Sequence, residues 1–346
     1  MKSSDSINRS GAGRLKERQS ELSVDQFVEG ILDGDRTVLS RAITLIESTR
    51  PEHREQAQEI IDRTLSETGD SIRIAITGVP GVGKSTFIEA LGNYIIDQGR
   101  KLTVLAIDPS SVRSKGSILG DKTRMESLAN NPDAYIRPSP TAGSLGGVAR
   151  KTREAILLCE AAGYDTIFIE TVGVGQSETA AHSMVDFFLL LMLAGAGDEL
   201  QGIKRGIVEM ADMIAINKID ALDKQQVEKA VGEYRRALQL YPEPDSGWGP
   251  KVTTCSAREE TNIDEIWNQI CDYIEHTREN GYFAERRNRQ ARHWMYETID
   301  QELKSRFYNH PEIKKHLRRM EQKVQEGEIS STRAARQILQ RYRQDD

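Results

Sequence analysis

From Gly78 to Ser85 the chain reads GVPGVGKS, which satisfies the spacing GxxxxGK[ST]. A run of this kind is suited to wrapping phosphates. Gly78, Gly81 and Gly83 let successive backbone N–H groups turn inward, with Val79, Pro80 and Val82 carrying the chain between them. A helix opening at the end of the loop adds its partial positive charge. Lys84 then reaches the β- and γ-phosphates, the Ser85 hydroxyl supplies a ligand to Mg2+, and Thr86 follows in the first turn. A glycine-rich turn can match this spacing by chance. Here the flanks are a β-rich run, IRIAITG, and a helix-forming run from Ser85, which is the context the chemistry requires.

A second motif bears on the base. The run MIAINKID ends with Asn217, Lys218 and Asp220. A carboxylate only accepts hydrogen bonds. Guanine offers two adjacent donors, N1–H and the 2-amino group, whereas adenine offers an acceptor at N1 and no amine at C2. Asp220 is therefore expected to hold guanine through a paired, charge-assisted contact. Asn217 would brace the loop, and the Lys218 stem would lie along the base. Downstream, CSAREE places Ser256 and Ala257 after the last strand, where the Ala257 N–H can meet the guanine O6. A surface turn also produces NKID. Its position after a strand and downstream of the phosphate loop favours GTP over ATP.

Three acids could serve a metal near the γ-phosphate: Asp108 at the end of LAIDPSS, Asp121 in ILGDKTRM and Glu170 in TIFIETVGVGQSE. Asp108 is equally a turn former before Pro109, and Asp121 equally a helix N-cap. Glu170 follows the apolar IFI, and its carboxylate could meet the metal directly or through a water. Gly173 is expected to let a backbone N–H approach the γ-phosphate. Val174 stands where Ras-like GTPases place a catalytic Gln, and Gln176, three residues past Gly173, is a weaker candidate to position water.

These residues need a frame that brings them together. IRIAITG, LTVLAID, TIFIET, DFFLLLML, MIAIN and KVTTCS read as six strands, most of them separated by helical stretches. The expected fold is α/β: a P-loop NTPase with a mostly parallel sheet covered by helices on both faces, plus N- and C-terminal helical extensions. Active residues belong at the carboxyl ends of such strands, where each motif falls. Residues 1–70 read as a disordered start and a helical arm, 71–280 as the nucleotide domain and 281–346 as a helical C-terminal arm. That last segment carries 15 Lys/Arg against 10 Asp/Glu, in a chain of 346 residues with net charge −6. The acidic balance gives no push toward nucleic acid, and no apolar run reaches membrane-spanning length. Cys159, Cys255 and Cys271 form no CxxC or zinc spacing and fit a reduced compartment. The polar first twenty residues lack the apolar face of a transit peptide, so the expectation is cytoplasmic, or the mitochondrial matrix for a eukaryotic source.

Taken together, GVPGVGKST, LAIDPSS, GDKTRM, IETVGVGQSE and NKID resemble the MeaB/ArgK-type GTPases associated with methylmalonyl-CoA mutase. The resemblance runs from about Asp25 into the C-terminal helices. It implies a GTP-hydrolysing chaperone of an adenosylcobalamin-dependent acyl-CoA mutase that protects the mutase and gates cofactor loading. It also implies a homodimer joined through residues 281–346. Asp108 and Asp121 would lie in the first switch and serve metal binding and hydrolysis, and Glu170 would belong to the metal site at the start of the second. GDELQGIKRGIVE would be a segment reporting to the mutase, which singles out Lys204, otherwise an ordinary exposed lysine.

Rival readings fare worse. Nickel delivery calls for clustered His or Cys ligands, and the six His are scattered. A signal-recognition GTPase needs a methionine-rich RNA-binding domain, which eight dispersed Met do not make. A kinase of amino-acid transport proteins would need an acceptor site. A GTP-locked dimeric scaffold would show no significant turnover. No DxHxxG cobalamin pattern is present, so B12 is expected to be the mutase's ligand.

Overall fold

The apolar runs assemble into one sheet because they are apolar on both faces. A computed structural model of the protein describes residues 22–107, 125–138, 145–171, 176–195 and 205–345. Asp108, Asp121, Gly173, Val174 and Lys204 lie outside the described residues, as does the side chain of Gln176. The strands are β1 (Ile72–Gly78), β2 (Leu102–Ile107), β3 (Ala134–Arg137), β4 (Thr166–Thr171), β5 (Phe187–Leu193), β6 (Met213–Asn217) and β7 (Lys251–Thr254). They lie in the order β3-β2-β4-β1-β5-β6-β7, and every pairing is parallel. From Phe187 to Met192 every residue of β5 is buried, as expected for a strand with helices on both faces.

The structure adds a strand to the six expected. β3 is only four residues long and sits at the sheet edge, between Asn131 and Pro138, where turn residues mask its short apolar signal. The covering helices include α1 (Val24–Leu32), α2 (Arg36–Glu47), α3 (Pro51–Thr64), α4 (Lys84–Asp97), α5 (Glu126–Asn130) and α6 (Leu145–Ala161). Further along come α7 (Gln176–His182), α8 (Arg205–Glu209), α9 (Lys224–Leu238) and α10 (Ile263–Glu279).

Local chemistry sets the helix ends. Ser23 and Gln26 form a reciprocal capping box at α1, Gly34 turns the chain at φ +75°, and Asp35 caps α2 through the N–H groups of Thr37 and Val38. The arm is fastened to the sheet edge by charge. Arg137 of β3 pairs with Glu47, its Nε donating at 3.0 Å, and Lys151 Nζ of α6 donates to the Glu47 carbonyl at 2.6 Å. At the opposite end of the strands, Arg73 makes a bidentate pair with the buried Glu160 at 2.8 and 2.9 Å. No helix among the described residues is long and apolar enough to cross a membrane.

The chain divides into two compact units, the first ending at Asn280 and the second starting at Gly281. The second holds α11 (Tyr282–Asn309), α12 (Pro311–Gln325) and α13 (Ser331–Asp345). Ile313, Met320, Ala334 and Ile338 form its small core, with Phe307 and Tyr342 packed edge to face against each other. Along α11, Met295, Ile299 and Leu303 recur every fourth residue with Tyr296 beside them, and all four are exposed.

Candidate functional site: a phosphate loop joined to a base loop

β1 delivers the chain into the phosphate loop, and α4 opens at Lys84. Two glycines there are dictated by space. A Cβ on Gly78 would fall 2.4 Å from the Leu191 carbonyl oxygen of β5. Gly83, at φ +94°, would bring a Cβ within 3.0 Å of the Asn217 amide nitrogen. The cradle thus admits backbone and excludes side chains, which suits a loop that must close on phosphates. Val82 is buried, Ser85 is half-buried and Thr86 is exposed.

Lys84 Nζ donates to the Gly78 carbonyl at 2.8 Å and lies 3.4 Å from that of Val79. Burial pushes its ammonium below the ordinary lysine range, and the carboxylates of Glu170 and Glu178 pull it part of the way back. A phosphate oxygen would compete for the same donor. Glu170 is half-buried on β4, in register with Ile76 of β1 and Ala106 of β2. Among the described residues no group of three or more His, Cys, Asp or Glu converges to hold a metal. The donors that β4 and α4 present, one carboxylate and one hydroxyl, fit Mg2+, which takes few protein ligands and completes its octahedron with phosphates and water.

The base loop is hydrogen-bonded to the phosphate loop. Asn217, almost fully buried at the end of β6, donates from Nδ2 to the Val82 carbonyl at 2.9 Å. Lys218, at φ +64°, donates from Nζ to the Gly81 carbonyl at 2.8 Å. Asp220 is exposed and accepts from Ser256 Oγ at 2.6 Å; that hydrogen bond holds its carboxyl below the usual range. Ser256 in turn accepts from the Glu259 N–H at 3.1 Å. The Ala257 N–H differs from expectation. It donates to Asn217 Oδ1 at 3.0 Å, so the guanine O6 would have to share or replace an internal acceptor.

Asn217 and Lys218 are thereby tied to the phosphate loop and Asp220 to Ser256, while Lys84 follows β1 and Glu170 stands near the end of β4, all around the carboxyl ends of β1, β4, β6 and β7. Sequence reasoning missed a buried set between the first two: Thr77, Thr171, Ser177 and Glu178. Glu178 is the last residue of IETVGVGQSE, and an acid in a helix's first turn reads as solvated until the fold shows its exposure to be zero.

A parallel sheet with a phosphate loop at its central strand and an acid-ended base loop two strands away defines a guanine-nucleotide-binding P-loop hydrolase. A family model described as "Methylmalonyl Co-A mutase-associated GTPase MeaB" matches residues 39–312, and the chain belongs to that family. It is 48% identical over 318 residues to a putative GTPase of Caulobacter vibrioides, covering 92% of this chain and 97% of that one. To the GTPase ArgK of Escherichia coli it is 41% identical over 319 residues, covering 92% and 96%. To the mitochondrial methylmalonic aciduria type A homolog of Mus musculus it is 45% identical over 330 residues, covering 92% and 80%. A crystal structure of a LAO/AO transport system kinase superposes with a TM-score of 0.73 at 35% identity, covering 94% of this chain and 99% of that one. The protein is a GTPase, hydrolysing GTP to GDP and phosphate.

Proposed function

We propose that this GTPase is the chaperone of an adenosylcobalamin-dependent acyl-CoA mutase of the methylmalonyl-CoA mutase type, protecting the mutase and gating cofactor loading. The observation that carries the reading is the Asn217 bridge between base loop and phosphate loop in a chain whose family is described as mutase-associated. Nucleotide state can be felt at both loops at once, as a timing device requires.

In this reading the phosphate loop and Lys84 bind and orient the GTP phosphates, and Asp220 selects guanine. Ser85 and Glu170, with Asp108 and Asp121, would hold Mg2+, which when bound neutralises charge on the β- and γ-phosphates. Burial around Lys84 strengthens its attraction for charge developing on the transferred phosphoryl oxygens. Lys204 is placed in the coupling to the mutase. Cobalamin stays with the mutase.

The homodimer is placed on the second unit. Met295, Tyr296, Ile299 and Leu303 line one side of α11, and a second copy of the helix would bury such a stripe.

The test is GTP turnover by the purified protein with and without a saturating adenosylcobalamin-dependent acyl-CoA mutase. Stimulation is the expected result. Absence of stimulation by any such mutase refutes the chaperone reading and leaves the GTPase assignment untouched. Capture from native extract, with identification of the bound enzyme, then distinguishes among mutases.

A further inference from the structure

Four buried polar side chains join the phosphate strand, the metal-acid strand and the helix that follows them. Thr171 Oγ1 donates to Thr77 Oγ1 at 2.7 Å. Thr77 lies 3.5 Å from Glu178 Oε1, at the outer limit of a hydrogen bond, and Ser177 Oγ donates to Glu178 Oε2 at 3.1 Å. Thr77 and Thr171 are within 1% of complete burial, and Ser177 and Glu178 are completely buried. Each stands at a telling place. Thr77 immediately precedes Gly78 of the phosphate loop, Thr171 immediately follows Glu170, and Glu178 sits in the first turn of α7. A buried carboxylate is costly to maintain unless its acceptor sites have partners, and here hydroxyls from two different elements, Ser177 of α7 and Thr77 of β1, approach one oxygen each.

We propose that Glu178 is a positioning residue for GTP hydrolysis, registering α7 on β1 and β4 through Thr77 and Thr171 and so fixing the phosphate loop against the metal acid. The base loop and the backbone cradle make none of these contacts, so GDP binding should depend on the latch far less than turnover does. Hydrolysis needs the Lys84 and Glu170 sides of the γ-phosphate held in one alignment, and small misplacements there are costly in rate. The carboxylates of both Glu170 and Glu178 raise the Lys84 ammonium against the effect of its burial, so the latch acid lies within electrostatic reach of the phosphate-binding lysine. An acid in a helix's first turn also favours the helix dipole. Thr77 separates the two roles, because it belongs to the strand.

The experiment measures kcat and KM for GTP, GDP affinity by fluorescent-nucleotide titration, and the unfolding midpoint. It compares Glu178→Gln, Thr77→Val, Thr77→Ser and the Glu178→Gln/Thr77→Val double variant with the parent. Glu178→Gln and Thr77→Val should each lower kcat by about five- to thirtyfold while KM and GDP Kd stay within about threefold. Thr77→Ser, which keeps the hydroxyl, should restore most of the parent rate. The double variant should be no slower than the slower single one, since both act through one contact. Parental kcat in folded Thr77→Val overturns the proposal, as does a GDP affinity falling in proportion to kcat. So does a double variant whose loss is the product of the two single losses. If Glu178→Gln does not fold, the Thr77→Val and Thr77→Ser pair decides by itself, rescue supporting the latch and its failure overturning it.

Discussion

Replacing Asn217 with alanine tests the bridge between the two loops. The side chain is 1% exposed, donates to the Val82 carbonyl at 2.9 Å and accepts from the Ala257 N–H at 3.0 Å. Val82 is fully buried and Ala257 is 5% exposed, so neither backbone group finds ready solvent when the amide is removed. A buried polar group left unpaired costs about 1–3 kcal/mol, and two come to about 2–6 kcal/mol. Water entering the truncated site relieves part of this, leaving about 2–3 kcal/mol to be measured. In a unit of this size each kcal/mol moves the unfolding midpoint by about 2–4 °C, so the variant should melt about 4–12 °C below the parent. The base loop would also lose its register on Gly81 and Val82, and GDP should bind about 10- to 100-fold more weakly. Differential scanning calorimetry and a fluorescent-GDP titration read the two effects separately. A variant that melts within about 1 °C of the parent and binds GDP unchanged would refute the bridge.

Other expectations are as concrete. Asp220→Asn should lose GTP and gain xanthosine triphosphate, whose C2 oxygen is an acceptor, with the preference changing by tens-fold or more in competition binding; equal binding of ATP and GTP by the parent would contradict the base assignment. Because its bond to Ser256 depresses the Asp220 carboxyl, the stability it contributes is present above the ordinary carboxylate range and lost as pH falls through the depressed value. Acid unfolding should therefore begin at higher pH in Ser256→Ala than in the parent. Lys204→Ala should leave intrinsic turnover nearly intact and lose much of the mutase-stimulated rate, and full stimulation of the variant would clear Lys204 of a coupling role. Burial pushes the thiols of Cys159 and Cys255 up to about 12, so at pH 8 both should resist iodoacetamide in the native protein while Cys271 is modified first, as peptide mass spectrometry would show.

Much of this architecture was legible because it is carried by patterns the chain cannot disguise. Continuous apolar runs such as FFLLLML, seven residues long and followed by a glycine turn, read as doubly covered strands, and the glycines at 78, 81 and 83, all at positive φ, mark a loop that two of them must keep clear of side chains. The capping pairs Ser23 with Gln26 and Asp35 after Gly34 announce their helices in the same way. What escaped was set by tertiary partners. β3 is a strand only because β2 pairs with it, as four residues beside a proline carry too little periodicity. Glu178 and the Ala257 N–H look like a surface acid and a free donor until Thr77, Ser177 and Asn217 close on them.

The position of β1 has a consequence for how the molecule is made. Ile72 pairs with Thr166 and Ile74 with Phe187, so both neighbours of the phosphate strand arrive from the ribosome long after it does. Until they emerge, β1 has no parallel partner, and closing loops of that length must be driven by packing that is itself incomplete. The nucleotide cradle is therefore synthesised well before the two strands that flank it. Nucleotide that binds the folded cradle then stabilises the domain by mass action, an effect that grows only as those strands pair.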